Sequence, residues 1–145
     1  MTNFRTLYID MDSFFASIEQ QLDPNLRNKP VAIAAINNDA GCVVAASYEA
    51  KAYGVKTGTR VYEAKILCPA INFRQSRHKL YAKYNRYISY LLDSVAELES
   101  VRSIDEFQIY LGNGHSKLSK AIDLSTKIKG LIGREVGEEI RLSIG

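Results

Sequence analysis

The amino-acid sequence predicts an α+β protein: a ferredoxin-like βαββαβ unit with a small α/β lobe inserted after its first strand. Three observations predict it. With residues 13–76 set aside, the remaining periodicities read strand, helix, strand, strand, helix, strand, which is the split βαβ order. Segments 77–98 and 116–132 both repeat apolar residues at three- and four-residue steps, long enough for core-facing helices. The stretch 13–76 has short strands and helices of its own, punctuated by Pro and Gly.

Taken in order, "TLYIDM" (6–11) alternates and is rich in β formers, so it predicts a strand. "SFFASIEQQL" (13–22) places Phe14, Ile18 and Gln21 or Leu22 at helical spacing, with Ser13 as the N-cap. "DPNLRNKP" is a loop with a proline near each end. "VAIAAI" (31–36) is a strand, "NNDAG" a turn and "CVVAAS" (42–47) a second strand. "YEAKAYG" is a short helix stopped by Gly54, "VKTGTR" a loop, "VYEAKILC" (61–68) another short helix and "INFRQ" (71–75) a short strand. The long helix 77–98 carries Tyr84, Tyr87, Ile88, Leu91, Leu92 and Val95 on one face, so most of its tyrosines are expected to pack on a sheet rather than stack on bases. "SVRSI" (100–104) and "FQIYL" (107–111) are strands on either side of Asp105-Glu106, and "GNGHS" is a loop. The helix 116–132 turns Leu118, Ile122, Leu124 or Ser125, Ile128 and Leu131 or Ile132 inward and ends at Gly133; "EIRLSIG" (139–145) is the last strand.

With 145 residues, 46% of them apolar and 24% charged, the chain has enough core-forming residues for one core or two small ones. A net charge of +3 permits a polyanionic partner without requiring one, since a solvated surface is the usual cause of such a value. Cys42 and Cys68 lack CxxC or Cys/His spacing, which argues against a zinc site and for a reducing compartment. "MTNFRTLYID" enters a strand without a charged-then-apolar leader, and no apolar run approaches the ~18 residues that cross a bilayer. The expected location is cytoplasmic. Repeats and low-complexity segments are absent.

Two acidic spots interrupt apolar strands: "IDMD", with Asp10 and Asp12, and "SIDEF", with Asp105 and Glu106. In the split βαβ order each crossover makes its two strands parallel. The first and second strands are then parallel, with the third between them and antiparallel to both. Asp10 ends the first strand, and Asp105 and Glu106 end the second, so all three face one edge of the sheet. With strands about 4.8 Å apart, the carboxylates converge within roughly 10 Å. Three carboxylates that close repel one another, and a divalent cation resolves the repulsion. Oxygen ligands at strand ends suit Mg²⁺, and two such ions about 4 Å apart serve in-line displacement at phosphorus.

"YIDMDSFFASIE" (8–19), "KPVAI" (29–33), "GCVVAASYEAKAYGVKTG" (41–58), "EAKILCP" (63–69) and "SIDE" (103–106) together resemble the Y-family, or translesion, DNA polymerases of the UmuC/DinB type. The resemblance implies templated synthesis past damaged bases with release of pyrophosphate. It implies a palm formed by 1–12 and 77–145, with fingers at 13–76. It implies that Asp10, Asp105 and Glu106, helped by the Met11 carbonyl, hold two Mg²⁺ ions, with Mn²⁺ as a substitute. It also implies dNTP binding by backbone N–H groups at Phe14 and Phe15 and by Tyr48 and Lys51, with Phe15 as the steric gate against a 2′-hydroxyl. Phe14 is expected in the core and Phe15 out of it. Primer–template DNA and dNTP are the implied partners; a sliding clamp and repair factors would meet regions beyond residue 145.

The chain departs from the family pattern at two side chains. Lys51 stands where arginine is usual, which keeps the charge and loses the bidentate fork. Ala45 stands where many relatives have a hydroxyl, which removes one triphosphate contact. The family continues past "SIG" into a catalytic-site lysine, a thumb and a little finger, so these 145 residues are expected to bind DNA weakly and to extend primers poorly. Three rivals are weaker. A haloacid-dehalogenase-type phosphatase with Asp10 as nucleophile needs a parallel sheet, a nucleotidyl cyclase lacks the inserted lobe, and an inactive scaffold that recruits repair factors has lost the acidic ligands.

Overall fold

The computed structural model describes residues 4–35, 38–112 and 116–145. The chain runs β1 (Thr6–Met11), α1 (Phe14–Leu22), a 3-10 turn (Pro24–Leu26), β2 (Val31–Ala34), β3 (Val43–Ala46), α2 (Tyr48–Lys51) and α3 (Val61–Leu67). It continues through β4 (Asn72–Gln75), α4 (His78–Val95), β5 (Glu97–Ser103), β6 (Glu106–Tyr110), α5 (Leu118–Glu135) and β7 (Leu142–Ile144). It divides into two compact units, one of residues 1–12 and 79–145 and one of residues 13–78.

The first unit is an antiparallel sheet in the order β5-β6-β1-β7. This is the ferredoxin-like order, with β6 between β1 and β5 and antiparallel to both. One face is apolar: Leu7, Ile9 and Met11 of β1 and Phe107 and Ile109 of β6 are buried, as are Ile88, Leu91 and Leu92 of α4 and Leu124, Ile128 and Ile132 of α5. Burying each such side chain contributes about 1.5–3 kcal/mol. The alternate residues Tyr8, Asp10, Glu106 and Tyr110 are exposed on the other face, as a period of two requires.

The second unit has a three-stranded sheet, β3-β2-β4, with β2 antiparallel to β3 and parallel to β4. One cluster of its core is built from small side chains, Ala32, Val43, Ala46, Ala50, Val55, Ala64 and Cys68, flanked by Ile71 and Phe73, and Phe14, Ile18, Leu26, Val31 and Ile33 are buried as well.

Several boundaries differ from expectation. Residues 97 and 98 leave the long helix for the sheet, because Leu98 pairs with Ile109. Glu106 is the first residue of β6 rather than part of the turn. Helix α5 runs through Gly133 to Glu135; the left-handed Gly137 (φ 152°) ends it, donating its N–H to the Ile132 carbonyl at 3.2 Å. The last strand is shorter than predicted and begins at Leu142.

Two inward assignments on α5 fail. Leu118 and Ile122 are exposed, at 57% and 54%, while Ala121 is buried in their place. The buried stripe is Ala121, Leu124, Ile128 and Ile132. Ile122 lies one residue, about 100°, off it, and Leu118 is in the first turn. On α4 the same offset exposes Tyr87, next to buried Ile88; Tyr90 is exposed as well, Tyr84 is half-buried and only Tyr81 is fully buried. The expectation that most of these tyrosines are core is therefore corrected. Ile36 and Asn37, from the predicted strand and turn, and residues 113–115 of the predicted loop lie outside the described residues.

Candidate metal and nucleotide sites

The Asp10 and Glu106 positions face each other across the β1–β6 ladder, an in-register antiparallel pair. Asp105 is the turn residue immediately before β6. The Met11 N–H donates to the Asp105 carbonyl at 2.8 Å, which ties that turn to the end of β1. The turn is held from a second direction by Asn85 of α4, whose side-chain N–H groups reach the carbonyls of Ser103 at 3.3 Å and Ile104 at 2.7 Å. The Ser103 hydroxyl donates to Asp105 Oδ1 at 3.0 Å.

The outcome is one cluster: a carboxylate oxygen from each of Asp10, Asp105 and Glu106 lies within 4.8 Å of the other two. Asp10 and Glu106 are exposed and Asp105 is half-buried. Three negative charges at this separation, with oxygen the only donor type, match the ligand set of a hard divalent cation. Met11 has its side chain buried on the opposite face, so only its main chain is available to this edge.

The other expected site residues lie in the second unit. Phe14 is buried, 3% exposed, and Phe15 is half-buried, their ring centroids 6.1 Å apart. Ser13 occupies the N-cap position of α1 but does not cap through its side chain. It sits in the left-handed region (φ 46°), and its carbonyl accepts the Ser17 N–H at 2.8 Å. The expected side-chain cap is therefore corrected: a capping side chain reaches the helix N–H groups from extended backbone, and Ser13 is left-handed.

Tyr48 and Lys51 come together on α2, with the Lys51 ammonium 5.7 Å from the centre of the Tyr48 ring and Tyr48 38% exposed. The helix is fixed at its start by fully buried Ser47, whose Oγ accepts from the N–H groups of Ala50 at 3.2 Å and Val31 at 2.9 Å. Buried Gln20 of α1 holds it from the side. Its amide N–H groups lie 2.7 Å from Glu49 Oε1 and 3.2 Å from both the Leu26 and Lys29 carbonyls. Glu19, also buried, receives Arg77 at both carboxylate oxygens, with Nε at 3.0 Å from Oε2.

The residues missed in the sequence are Gln20, the Glu19–Arg77 pair and Ser143. The last was findable: the alternation in "RLSI" puts Ser143 on the polar face of its strand.

A sequence profile of the impB/mucB/samB family matches residues 9–145. A "DNA polymerase IV" of Dehalococcoides mccartyi (strain CBDB1) is 33% identical over 141 residues, covering 97% of this chain and 36% of that protein. A Y-family DNA polymerase chimera superposes with a TM-score of 0.90 at 29% identity, over 98% of this chain and 42% of the other. The insertion ternary complex of Dbh DNA polymerase matches with a TM-score of 0.88 at 29% identity, over 98% and 42%. The chain thus spans about a third of the length of the curated relative.

Proposed function

The chain belongs to the impB/mucB/samB family, the UmuC/DinB type of Y-family polymerase that its motifs resemble, and on that premise we propose that it is the palm and fingers of a translesion DNA polymerase. The unit of residues 1–12 and 79–145 is the palm and the unit of residues 13–78 the fingers. The reaction is attack of a primer 3′-hydroxyl on the α-phosphate of a dNTP, with pyrophosphate as the leaving group.

The observation that carries this reading is the convergence of Asp10, Asp105 and Glu106 from opposite parts of the sequence on one sheet edge. These three, with the Met11 carbonyl, would hold two Mg²⁺ ions. Bound there, the ions supply positive charge against the triphosphate and a lowered pKa for the primer hydroxyl. Strand register brings the Asp10 and Glu106 positions together, and Asn85 and Ser103 hold the turn of Asp105, which supports a ligand set assembled before substrate arrives. In the fingers, Tyr48 offers a hydroxyl and Lys51 a charge to triphosphate oxygens. Lys51 binds as a point charge without the planar fork of arginine. The half-buried Phe15 ring is the surface against which a ribose 2′-hydroxyl would collide.

A chimera tests the reading. This chain replaces the matching 42% of a Y-family polymerase such as Dbh. The expected result is primer extension with Mg²⁺, falling by about a thousandfold or more in the Asp105→Asn form. A folded chimera that binds DNA and dNTP yet extends no primer, or extension that survives Asp105→Asn, contradicts it.

A further inference from the structure

A fourth carboxylate, Asp12, stands beside the cluster and outside it. Strand β7 pairs with β1 on the side away from β6, with Ser143 opposite Asp10. Paired residues share a face, so the Ser143 side chain emerges beside that of Asp10. The Ser143 hydroxyl lies 2.9 Å from Asp12 Oδ1 and 3.0 Å from Oδ2, a single donor shared by both oxygens. The Asp12 N–H donates to the Arg141 carbonyl at 2.9 Å, fixing the Asp12 backbone to the same strand. Asp10 is thus flanked by Asp105 and Glu106 on one side and by the Ser143–Asp12 pair on the other.

We propose that Ser143 is a positioning residue for the cation site, holding Asp12 on the β7 side so that the ions meet three carboxylates and not four. The proposal rests on the metal reading above. Mg²⁺ is served by one or two carboxylates, several waters and substrate phosphates, whereas Ca²⁺ accepts six to eight flexible oxygens. Two residues from Asp10, a released Asp12 would add a negative charge and ligand oxygens to the cluster. That addition raises affinity, favours the larger ion and fills coordination positions a triphosphate needs. Ser143 therefore sets the site's selectivity without touching an ion.

The test is Mn²⁺ and Ca²⁺ binding to the 145-residue chain, by electron paramagnetic resonance and competition, in the parent and in Ser143→Ala, Ser143→Thr, Asp12→Asn and the Ser143→Ala/Asp12→Asn double variant. Ser143→Ala is expected to bind Ca²⁺ about tenfold more tightly relative to Mn²⁺. The Asp12→Asn background should abolish that gain, and threonine, which keeps the hydroxyl, should leave the parent's selectivity. A merely structural bond predicts the reverse, weaker binding in Ser143→Ala alone. Unchanged or weakened Ca²⁺ binding in a folded Ser143→Ala, or a gain that persists with Asp12→Asn, overturns the proposal while leaving the metal reading intact. No Mn²⁺ binding by the parent overturns both. Should Ser143→Ala fail to fold, Ser143→Cys, which keeps the size and weakens the donor, carries the same expectation.

Discussion

At the residue scale, what matters is how a charge is held. Glu19 is almost fully buried and its partner Arg77 is half-exposed, so the arginine brings charge compensation to a carboxylate that water does not reach. Breaking such a pair from one side costs more than replacing both partners. Arg77→Met is expected to destabilise the second unit by about 2 kcal/mol, and Glu19→Gln/Arg77→Met to recover most of that loss. Urea denaturation midpoints check this, and equal losses in the single and double variants would contradict it. The cluster of Asp10, Asp105 and Glu106 was legible in the sequence because acidic residues at the ends of apolar strands are conspicuous and the strand order fixes which ends meet. Glu19 was not, because burial of a charged residue depends on an arginine 58 positions away. Ser13 was misread because N-cap propensity assumes extended backbone, and this serine is left-handed.

At the scale of elements, short helix α2 is stable only by what surrounds it, since one turn of helix has little stability of its own. Ser47 caps it and Gln20 ties Glu49 to α1, and these two contacts set where Tyr48 and Lys51 are presented. Gln20→Leu removes the donor for the Leu26 and Lys29 carbonyls and for Glu49. It is expected to cost about 2 kcal/mol and to raise amide hydrogen exchange in residues 48–54. An unchanged denaturation midpoint and exchange rate would show that α2 is held otherwise. The types of the α-helices and strands were readable in the sequence, element ends were less so, and the 3-10 turn Pro24–Leu26 falls in a segment predicted as loop. Gly133 looked like a stop but is tolerated inside α5, where a Cβ would meet nothing, and the stop falls at left-handed Gly137. The apolar residues Leu118, Ile122 and Tyr87 were placed inward because hydrophobicity alone does not say which of two adjacent residues faces the sheet.

At the scale of the whole chain, the split βαβ order emerged once residues 13–76 were treated as an insertion, close to the observed unit of residues 13–78. That reading needed only element order and the handedness of crossovers. A net charge of +3 gives the chain weak attraction to polyanions, so any specific hold on a phosphate-bearing ligand comes from placed groups and not from overall charge. The polymerase reading of this fold therefore depends on divalent ions binding at the edge formed by Asp10, Asp105 and Glu106. The most direct measurement is an anomalous-difference map from crystals of the chain soaked in Mn²⁺ and dNTP. Mn²⁺ peaks are expected within about 2.0–2.4 Å of carboxylate oxygens of Asp10, Asp105 and Glu106. Full occupancy of Mn²⁺ elsewhere, with no peak among those three residues, would contradict it.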